Sequence, residues 1–111
     1  MKETGAIDNI YSNLPKKLPA ELFEKITQGH AFRLERIISK GHATPEGEWY
    51  DQEQDEWVIL LKGRARLLLA GASEAVELGP GDHLHLPAHL RHRVEWTDPE
   101  TETIWLALHY D

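Results

Sequence analysis

From residue 30 onward the sequence is a succession of short apolar segments and tight turns, and this spacing limits the possible folds more than any other feature. The segments with strand character are AFRLERIIS, EWVILLKG, GRARLLLAG, EAVEL, DHLHLP, RHRVEWT and TIWLALHY. They recur at roughly the 8 to 12 residues typical of small all-β domains, with turns at GASE, LGPGD and TDPET. The pattern predicts an all-β fold, a small antiparallel β-barrel or sandwich.

Residues 1–29 have a different character, and we expect them to form an N-terminal arm. Apolar residues at the spacing of one helix face are Leu22, Phe23 and Ile26. Gly29 follows as a stop signal, so a short amphipathic helix over 20–27 is predicted, packed outside a barrel of residues 30–111. With 111 residues the chain has room for one core, which makes residues 1–111 a single domain.

The strand segments are apolar on both faces. In EWVILLKG, Val58 and Leu60 alternate with Trp57 and Ile59, and TIWLALHY repeats the arrangement. An antiparallel sheet with one side in water should instead alternate apolar and polar residues. We therefore expect the second face to be covered, either by the N-terminal helix or by another subunit. Since one short helix shields only part of such a face, the sequence predicts a homodimer.

Charge and composition disfavour several classes of partner. The formal net charge is −7 and the 12 basic residues are scattered, which disfavours binding to nucleic acid. The chain has no cysteine, so neither a disulfide nor a thiolate metal site can form. It also lacks both a signal-peptide pattern and an apolar run of the roughly 18 residues that a membrane span needs. We expect a cytoplasmic protein with no nucleic-acid or membrane partner.

An oxygen-rich cluster, DQEQDE at 51–56, directly precedes the most apolar segment, and two spaced motifs surround it. Glu56 is followed after six residues by Gly63, while Gly81 is followed after five by Pro87, with His92 five positions beyond. In order and spacing the chain resembles the cupin family, whose motifs run G-x5-H-x-H-x3-4-E-x6-G and G-x5-P-x-G-x2-H-x3-N. The resemblance covers about residues 37–110. Its second motif departs from the family at two positions, which carry His89 for glycine and Trp96 for asparagine.

The resemblance implies a short jelly-roll barrel whose mouth holds a divalent metal on three histidines and the glutamate of the first motif. Glu56 and His92 stand at the places of that glutamate and of one histidine. The other two histidine positions are occupied, depending on the register, by either Trp49 and Asp51 or Tyr50 and Gln52. Asp51 or Gln52 is therefore the expected third ligand, and both registers stay open. Carboxylate, amide and imidazole donors suit Zn, Mn, Fe or Ni.

The resemblance also implies a function. It leads us to expect a metal-dependent enzyme acting on a small polar molecule, by sugar or sugar-phosphate isomerase or dioxygenase chemistry. Loss of both histidines of the first motif disfavours oxygen-activating iron chemistry and leaves isomerase-like Lewis-acid catalysis or simple ligand binding. His89 or Tyr50 is the expected proton-transfer residue. Weaker candidates are His42, His83, His85 and His109. The alternatives are a non-catalytic module that binds or senses a small ligand in the same pocket, and a barrel retained for its dimer surface.

Overall fold

The computed structural model describes residues 5–111, which contain eight β-strands and no helix. The strands are β1 (Leu22–Gln28), β2 (Phe32–Ser39), β3 (Asp55–Lys62), β4 (Ala65–Leu69), β5 (Val76–Leu78), β6 (His83–Leu86), β7 (His92–Thr97) and β8 (Thr103–Tyr110). A five-stranded sheet has the order β1-β2-β8-β3-β6, and a three-stranded sheet has the order β5-β4-β7, with antiparallel pairing throughout. The prediction of a small antiparallel all-β barrel is confirmed.

The core lies between the two sheets. In β3, Val58 and Leu60 are buried while Trp57 and Ile59 are only partly buried, as the alternation of side chains along a strand requires. Both sheets contribute to the core, which consists mainly of Ile37, Val58, Leu60, Ala65, Leu67, Leu78, Leu86, Val94, Trp105 and Ala107. β8 holds the larger sheet together because it pairs with β2 on one side and with β3 on the other.

The predicted helix over 20–27 is wrong, because most of this segment forms β1. Leu22 pairs with Ile38, and Phe23 pairs with Ile37, so the edge of β2 supplies the hydrogen bonds that a helix would have made internally. The register of β1 shifts between Lys25 and Thr27. This irregularity breaks the strict alternation of a strand, and the resulting spacing of apolar residues resembles a helix period. The first four residues of the predicted arm lie outside the described range.

The irregular segment before β1 is fastened to the outer side of the larger sheet by Arg36. This residue is 8% exposed, and its guanidinium donates to the carbonyl oxygens of Ile10, at 3.1 Å, and Ser12, at 2.7 Å. It also donates through Nε to Glu24 Oε1 at 2.8 Å. One buried guanidinium therefore ties residues 10–12 to both β1 and β2. Across residues 5–111, no helix has the length and apolar character to cross a membrane.

Candidate functional site

A cavity of about 220 Å³ lies between the two sheets, and the strand register divides its lining into a polar and an apolar end. On β8, His109 is paired with Arg33 on one side and with Glu56 on the other. Four residues earlier on the same strand, Trp105 is paired with Ile37 and Leu60. The polar end comprises Arg33, Glu35, Tyr50, Gln52, Glu56, His92 and His109, and the apolar end comprises Ile37, Val58, Leu67, Leu86, Val94 and Trp105.

Glu56 and His92 form a buried pair at the polar end. Glu56 is the second residue of β3 and shares its inward face with Val58, while His92 is the first residue of β7. Each side chain is 8% exposed, and Glu56 Oε1 lies 3.5 Å from His92 Nε2. His92 Nδ1 lies 2.9 Å from the carbonyl oxygen of Leu90, which fixes Nδ1 as the donor and leaves Nε2 facing the carboxyl group. The imidazole is thus oriented by the backbone and presented to Glu56.

Burial alone would lower the pKa of His92, because it penalises the charged imidazolium. The close contact with Glu56, the Leu90 carbonyl and the negative charge of Glu56 act in the opposite direction. These interactions outweigh burial, and the pKa of His92 is raised above its usual value of 6.5. The pair therefore favours retaining a proton on His92.

The segment between β2 and β3 reaches the cavity through one β-bridge. Tyr50 N donates to the carbonyl oxygen of His92 at 2.8 Å, and His92 N donates to that of Tyr50 at 3.1 Å. Their rings stack with centroids 5.6 Å apart. Because side chains alternate along an extended segment, the bridge directs both Tyr50 and Gln52 to the cavity. The intervening Asp51 does not line the cavity.

Asp51 and His89 instead form an exposed pair beside the cavity. His89 Nδ1 lies 2.9 Å from Asp51 Oδ1, with the two side chains 67% and 50% exposed. His89 has a φ of 65°, and its backbone N donates to the carbonyl oxygen of Gln52 at 2.8 Å. The structure thus brings four of the six predicted site residues to one cavity, namely Tyr50, Gln52, Glu56 and His92, and places the other two together outside its lining.

The polar end also contains Arg33 and Glu35, which the motif comparison missed, and His109, which it ranked low. Glu35 Oε1 lies 2.9 Å from His109 Nε2, and Glu35 Oε2 lies 3.5 Å from Arg33 Nε. His109 Nε2 is in turn 3.9 Å from Glu56 Oε2. The alternation of side chains along the strand could have indicated Arg33 and Glu35, because they share a strand face with the buried Ile37. This row of alternating acidic and basic side chains joins β2, β8 and β3.

Glu21, which also was not predicted, lines the cavity just before β1. Its side chain forms short contacts with Ser39 Oγ and accepts a hydrogen bond from the Tyr50 hydroxyl at 3.4 Å. Burial raises the pKa of Glu21 despite these hydrogen bonds, which act in the opposite direction. Burial, together with the nearby Glu21 carboxylate, raises the pKa of Tyr50 to about 12. At neutral pH the Tyr50 hydroxyl is therefore a hydrogen-bond donor.

The donor atoms at the polar end are of chemical types that bind divalent metals. Glu56 Oε1 and Gln52 Oε1 are buried acceptors with no hydrogen-bond partner within residues 5–111, and His92 Nε2 lies beside the first of them. Unpaired buried oxygens next to an oriented imidazole are suited to a cation. Among the described residues, however, no three histidine, aspartate or glutamate side chains are grouped as a metal site. A site here would need the Gln52 amide oxygen as its third protein donor.

Comparisons with known proteins find matches over most of the chain. A sequence model of the cupin domain matches residues 36–109. A Ralstonia eutropha JMP134 protein of known structure, provisionally described as a mannose-6-phosphate isomerase, is 43% identical, with 96% of this chain and 98% of that chain covered and a TM-score of 0.92. A cupin superfamily protein from Desulfitobacterium hafniense DCB-2 is 16% identical, with 87% and 83% covered and a TM-score of 0.70. A protein from Thermus thermophilus is 16% identical, with 94% and 95% covered and a TM-score of 0.75. No curated protein matches the sequence.

Proposed function

The chain belongs to the cupin family, and on that basis we propose that it is a metal-dependent isomerase of a small hydroxy-carbonyl compound bound in the cavity between its sheets. The observation that carries this proposal is the buried Glu56–His92 pair at the polar end of the cavity, in which Glu56 has an unpaired oxygen, while Gln52, with another unpaired oxygen, lines the same cavity. The relative described as a mannose-6-phosphate isomerase supports the choice of isomerase chemistry.

In this proposal Glu56, His92 and Gln52 hold the divalent ion. When bound, such an ion polarises the carbonyl oxygen of a substrate and stabilises the negative charge that develops there. The β-bridge between Tyr50 and His92 fixes Gln52 on the cavity side, which favours the register with Gln52 rather than Asp51 as the third ligand. The predicted homodimer and cytoplasmic location remain parts of the proposal.

The proton transfer of an isomerase is assigned to Tyr50 and Glu21. Isomerisation removes a proton from the carbon beside a carbonyl group and returns it to the neighbouring carbon. Burial raises the pKa of Glu21 and so moves its titration toward the neutral range in which an acid–base group works best. The Tyr50 hydroxyl, which donates to Glu21 in the absence of substrate, would turn its proton to a substrate oxygen and orient the substrate. His89 receives no role because its ring is exposed and outside the cavity lining.

Metal binding is tested by substituting the competing ligands separately. We expect untagged protein to bind about one Mn²⁺ per chain, with a coordination number of about four or more. Gln52→Ala should weaken that affinity by at least the roughly 10- to 100-fold known for losses around metal ligands, whereas Asp51→Ala should leave it unchanged. Titration followed by electron paramagnetic resonance measures both. If the two variants behave in the reverse manner, Asp51 is the ligand, and unchanged affinity in His92→Ala would refute the metal site.

Isomerase activity is tested by hydrogen exchange in D₂O. The protein, loaded with Mn²⁺ or Zn²⁺, is incubated with mannose, dihydroxyacetone or their phosphate esters, and deuterium incorporation beside the carbonyl group is followed by NMR. Glu21→Gln and Tyr50→Phe should slow the exchange by about 100-fold or more, as loss of acid–base catalysis does. The matched control is His89→Gln, which should exchange like the wild type. If deuterium exchange is slow in His89→Gln and normal in Glu21→Gln, the proton transfer is assigned to His89.

The runner-up is a non-catalytic module that binds a small ligand in the same cavity. It is favoured because, within residues 5–111, no three histidine, aspartate or glutamate side chains lie close enough together to hold a metal ion. The two functions separate in the same experiments. A binding module would show ligand-dependent shifts of the His92 ring signals with no deuterium incorporation, with or without metal.

A further inference from the structure

The charged side chains at the polar end of the cavity face side chains of opposite charge, whereas Glu21 is hydrogen-bonded to the hydroxyl groups of Ser39 and Tyr50. The described lining contains one guanidinium, that of Arg33, and its Nε lies 3.5 Å from Glu35 Oε2. Glu35 also contacts His109 Nε2 at 2.9 Å, and Glu56 lies between His92, at 3.5 Å, and His109, at 3.9 Å. Each carboxylate in this row faces a basic side chain. An anionic ligand would therefore compete with Glu35 for Arg33, whose Nε makes no hydrogen bond among the described residues.

A phosphate group in particular lacks a receptor in this lining. Phosphate is recognised by Arg or Lys forks or by rows of free backbone N–H groups. Arg33 is the one candidate in the described lining, and a dianion beside it would also lie next to the Glu35 carboxylate. Like charges at such distances repel, and the Glu35 side chain is only 15% exposed, which limits screening by solvent. The formal charge of −7 on the whole chain further opposes the approach of an anion.

The size and polarity of the cavity set a second limit. Its 220 Å³ is below the roughly 300 to 1,000 Å³ of cavities that hold drug-sized ligands, so it suits a small one. The register places His109, paired with Arg33 and Glu56, at one end and Trp105, paired with Ile37, at the other. A ligand that fills the cavity thus presents oxygens to one end and hydrocarbon to the other. A second charged group, at the far end of the ligand, would meet the apolar lining.

We propose that the ligand is a small, uncharged and unphosphorylated hydroxy-carbonyl compound, with its oxygens toward Glu56 and His92. This inference rests on the proposed function, because it assumes that the ligand occupies the cavity. It departs from the substrate in the description of the Ralstonia eutropha relative, since a phosphorylated hexose is both larger and anionic.

The test compares dihydroxyacetone with dihydroxyacetone phosphate, which differ only by the phosphate group. Protein labelled at its histidine rings is titrated with each compound, and the signals of His92 and His109 report occupancy of the cavity. We expect dihydroxyacetone to shift these signals with a Kd at least ten-fold lower than its phosphate ester. Equal or tighter binding of the ester at the same signals overturns the inference and leaves the proposed function standing. If neither compound shifts them, the proposed function fails together with the inference.

A variant tests the pairing itself. Glu35→Gln removes the carboxylate beside Arg33, so it should lower the Kd for the phosphate ester by about ten-fold or more. The matched control is Glu77→Gln, which removes a carboxylate of β5 that lies 3.9 Å from Arg64 Nη1. Both of these side chains are half-exposed, so the control should change nothing. Unchanged phosphate binding in a folded Glu35→Gln protein would show that pairing does not exclude phosphate. The comparison of the two compounds on the wild type decides the inference even if this variant fails to fold.

Discussion

At the scale of single residues, the candidate site contains acidic groups whose pKa is raised by burial, namely Glu21 and Tyr50. Glu21 is held against Ser39 and Tyr50 in a position where burial raises its pKa. The folded state therefore binds the Glu21 proton more tightly than the unfolded state does. The resulting stabilisation is complete below the unfolded pKa, near 4.5, and is lost as the pH rises through the raised folded pKa.

Glu21→Gln should therefore stabilise the protein at neutral pH and change little in acid. The amide cannot ionise, so the cost of burying a carboxylate at pH 7 disappears, whereas at pH 4 both side chains are uncharged. Urea denaturation at the two pH values measures the difference in unfolding free energy. Glu53→Gln, at an exposed position, is the control and should have no effect at either pH. A Glu21→Gln effect of equal size at pH 4 and pH 7 would contradict the assigned cause.

The pairing of Glu56 with His92 should appear as a coupling energy in a double-mutant cycle. Both side chains are 8% exposed, so removing either leaves a buried polar group without its partner, at a cost of roughly 3 to 5 kcal/mol, and removing both costs less than the sum. The raised pKa of His92 means that the coupling is complete below pH 6.5 and is lost as the pH rises through that raised value. Cycles at pH 6 and pH 9 measure it.

The exposed pair of Asp51 and His89 provides the matched control for that cycle. Their side chains are 50% and 67% exposed, so solvent screening limits their coupling to below about 1 kcal/mol. Comparable coupling in the two cycles would mean that the burial of Glu56 and His92 has no energetic consequence.

At the scale of structural elements, the turn between β3 and β4 explains why the first motif ends in glycine. Gly63 has a φ of +89°, and a Cβ placed there would lie 2.7 Å from Thr103 Cα and 2.8 Å from the carbonyl oxygen of Glu102. The backbone of β8 thus approaches too closely for any side chain. This close approach holds the turn between β3 and β4 against the start of β8.

Gly63→Ala should therefore destabilise the protein more than a substitution that introduces backbone strain alone. Gly71 provides that comparison, since its φ is +86° and nothing lies within 4 Å of a Cβ there. Gly71→Ala should cost about 1 to 2 kcal/mol of unfolding free energy for the left-handed backbone, and Gly63→Ala should cost clearly more. Thermal and urea unfolding measure both. Equal costs would show that the contact with β8 relaxes freely.

Most of the elements were predictable from the sequence, and the one failure has a local cause. Strands β2 to β8 coincide with the seven predicted segments, β3 alone starting one residue earlier, because alternation and turn residues are local signals. β1 was mistaken for a helix because the irregularity between Lys25 and Thr27 distorts its alternation, and its true state depends on pairing with β2, as of Phe23 with Ile37. That pairing is a tertiary contact, which a local pattern does not contain.

At the scale of the whole molecule, the cavity combines side chains that are far apart in sequence. The spaced motifs indicated Glu56 and His92, which the fold places 3.5 Å apart, whereas Glu35 and Glu21 carry no motif. Their positions follow from the order β1-β2-β8-β3-β6, which brings the inward faces of these five strands side by side. The sequence could predict which side chains of each strand point inward. It could not supply the register between strands that sets Glu35 against His109.

The outer face of the larger sheet bears on the assembly. Trp57 is paired with Leu108, and Ile59 with Leu106, in adjoining positions of β3 and β8. All four side chains point away from the core and are only partly buried. A contiguous apolar surface of this kind is typical of a protein interface. The predicted homodimer would cover it with the same surface of a second copy.

Placing a charge on that surface tests the dimer. Sedimentation at micromolar concentration should give twice the 12.7 kDa mass of the chain, because burying the apolar face of two copies removes it from water. Ile59→Glu should shift the wild-type dimer to the monomer mass while leaving the fold intact, since the side chain points away from the core. Val76→Glu, at an apolar residue that is 41% exposed on the smaller sheet, should leave the dimer unchanged. A wild type that sediments as a monomer would exclude the dimer, and unfolding of Ile59→Glu would show that this face belongs to the core of a single chain.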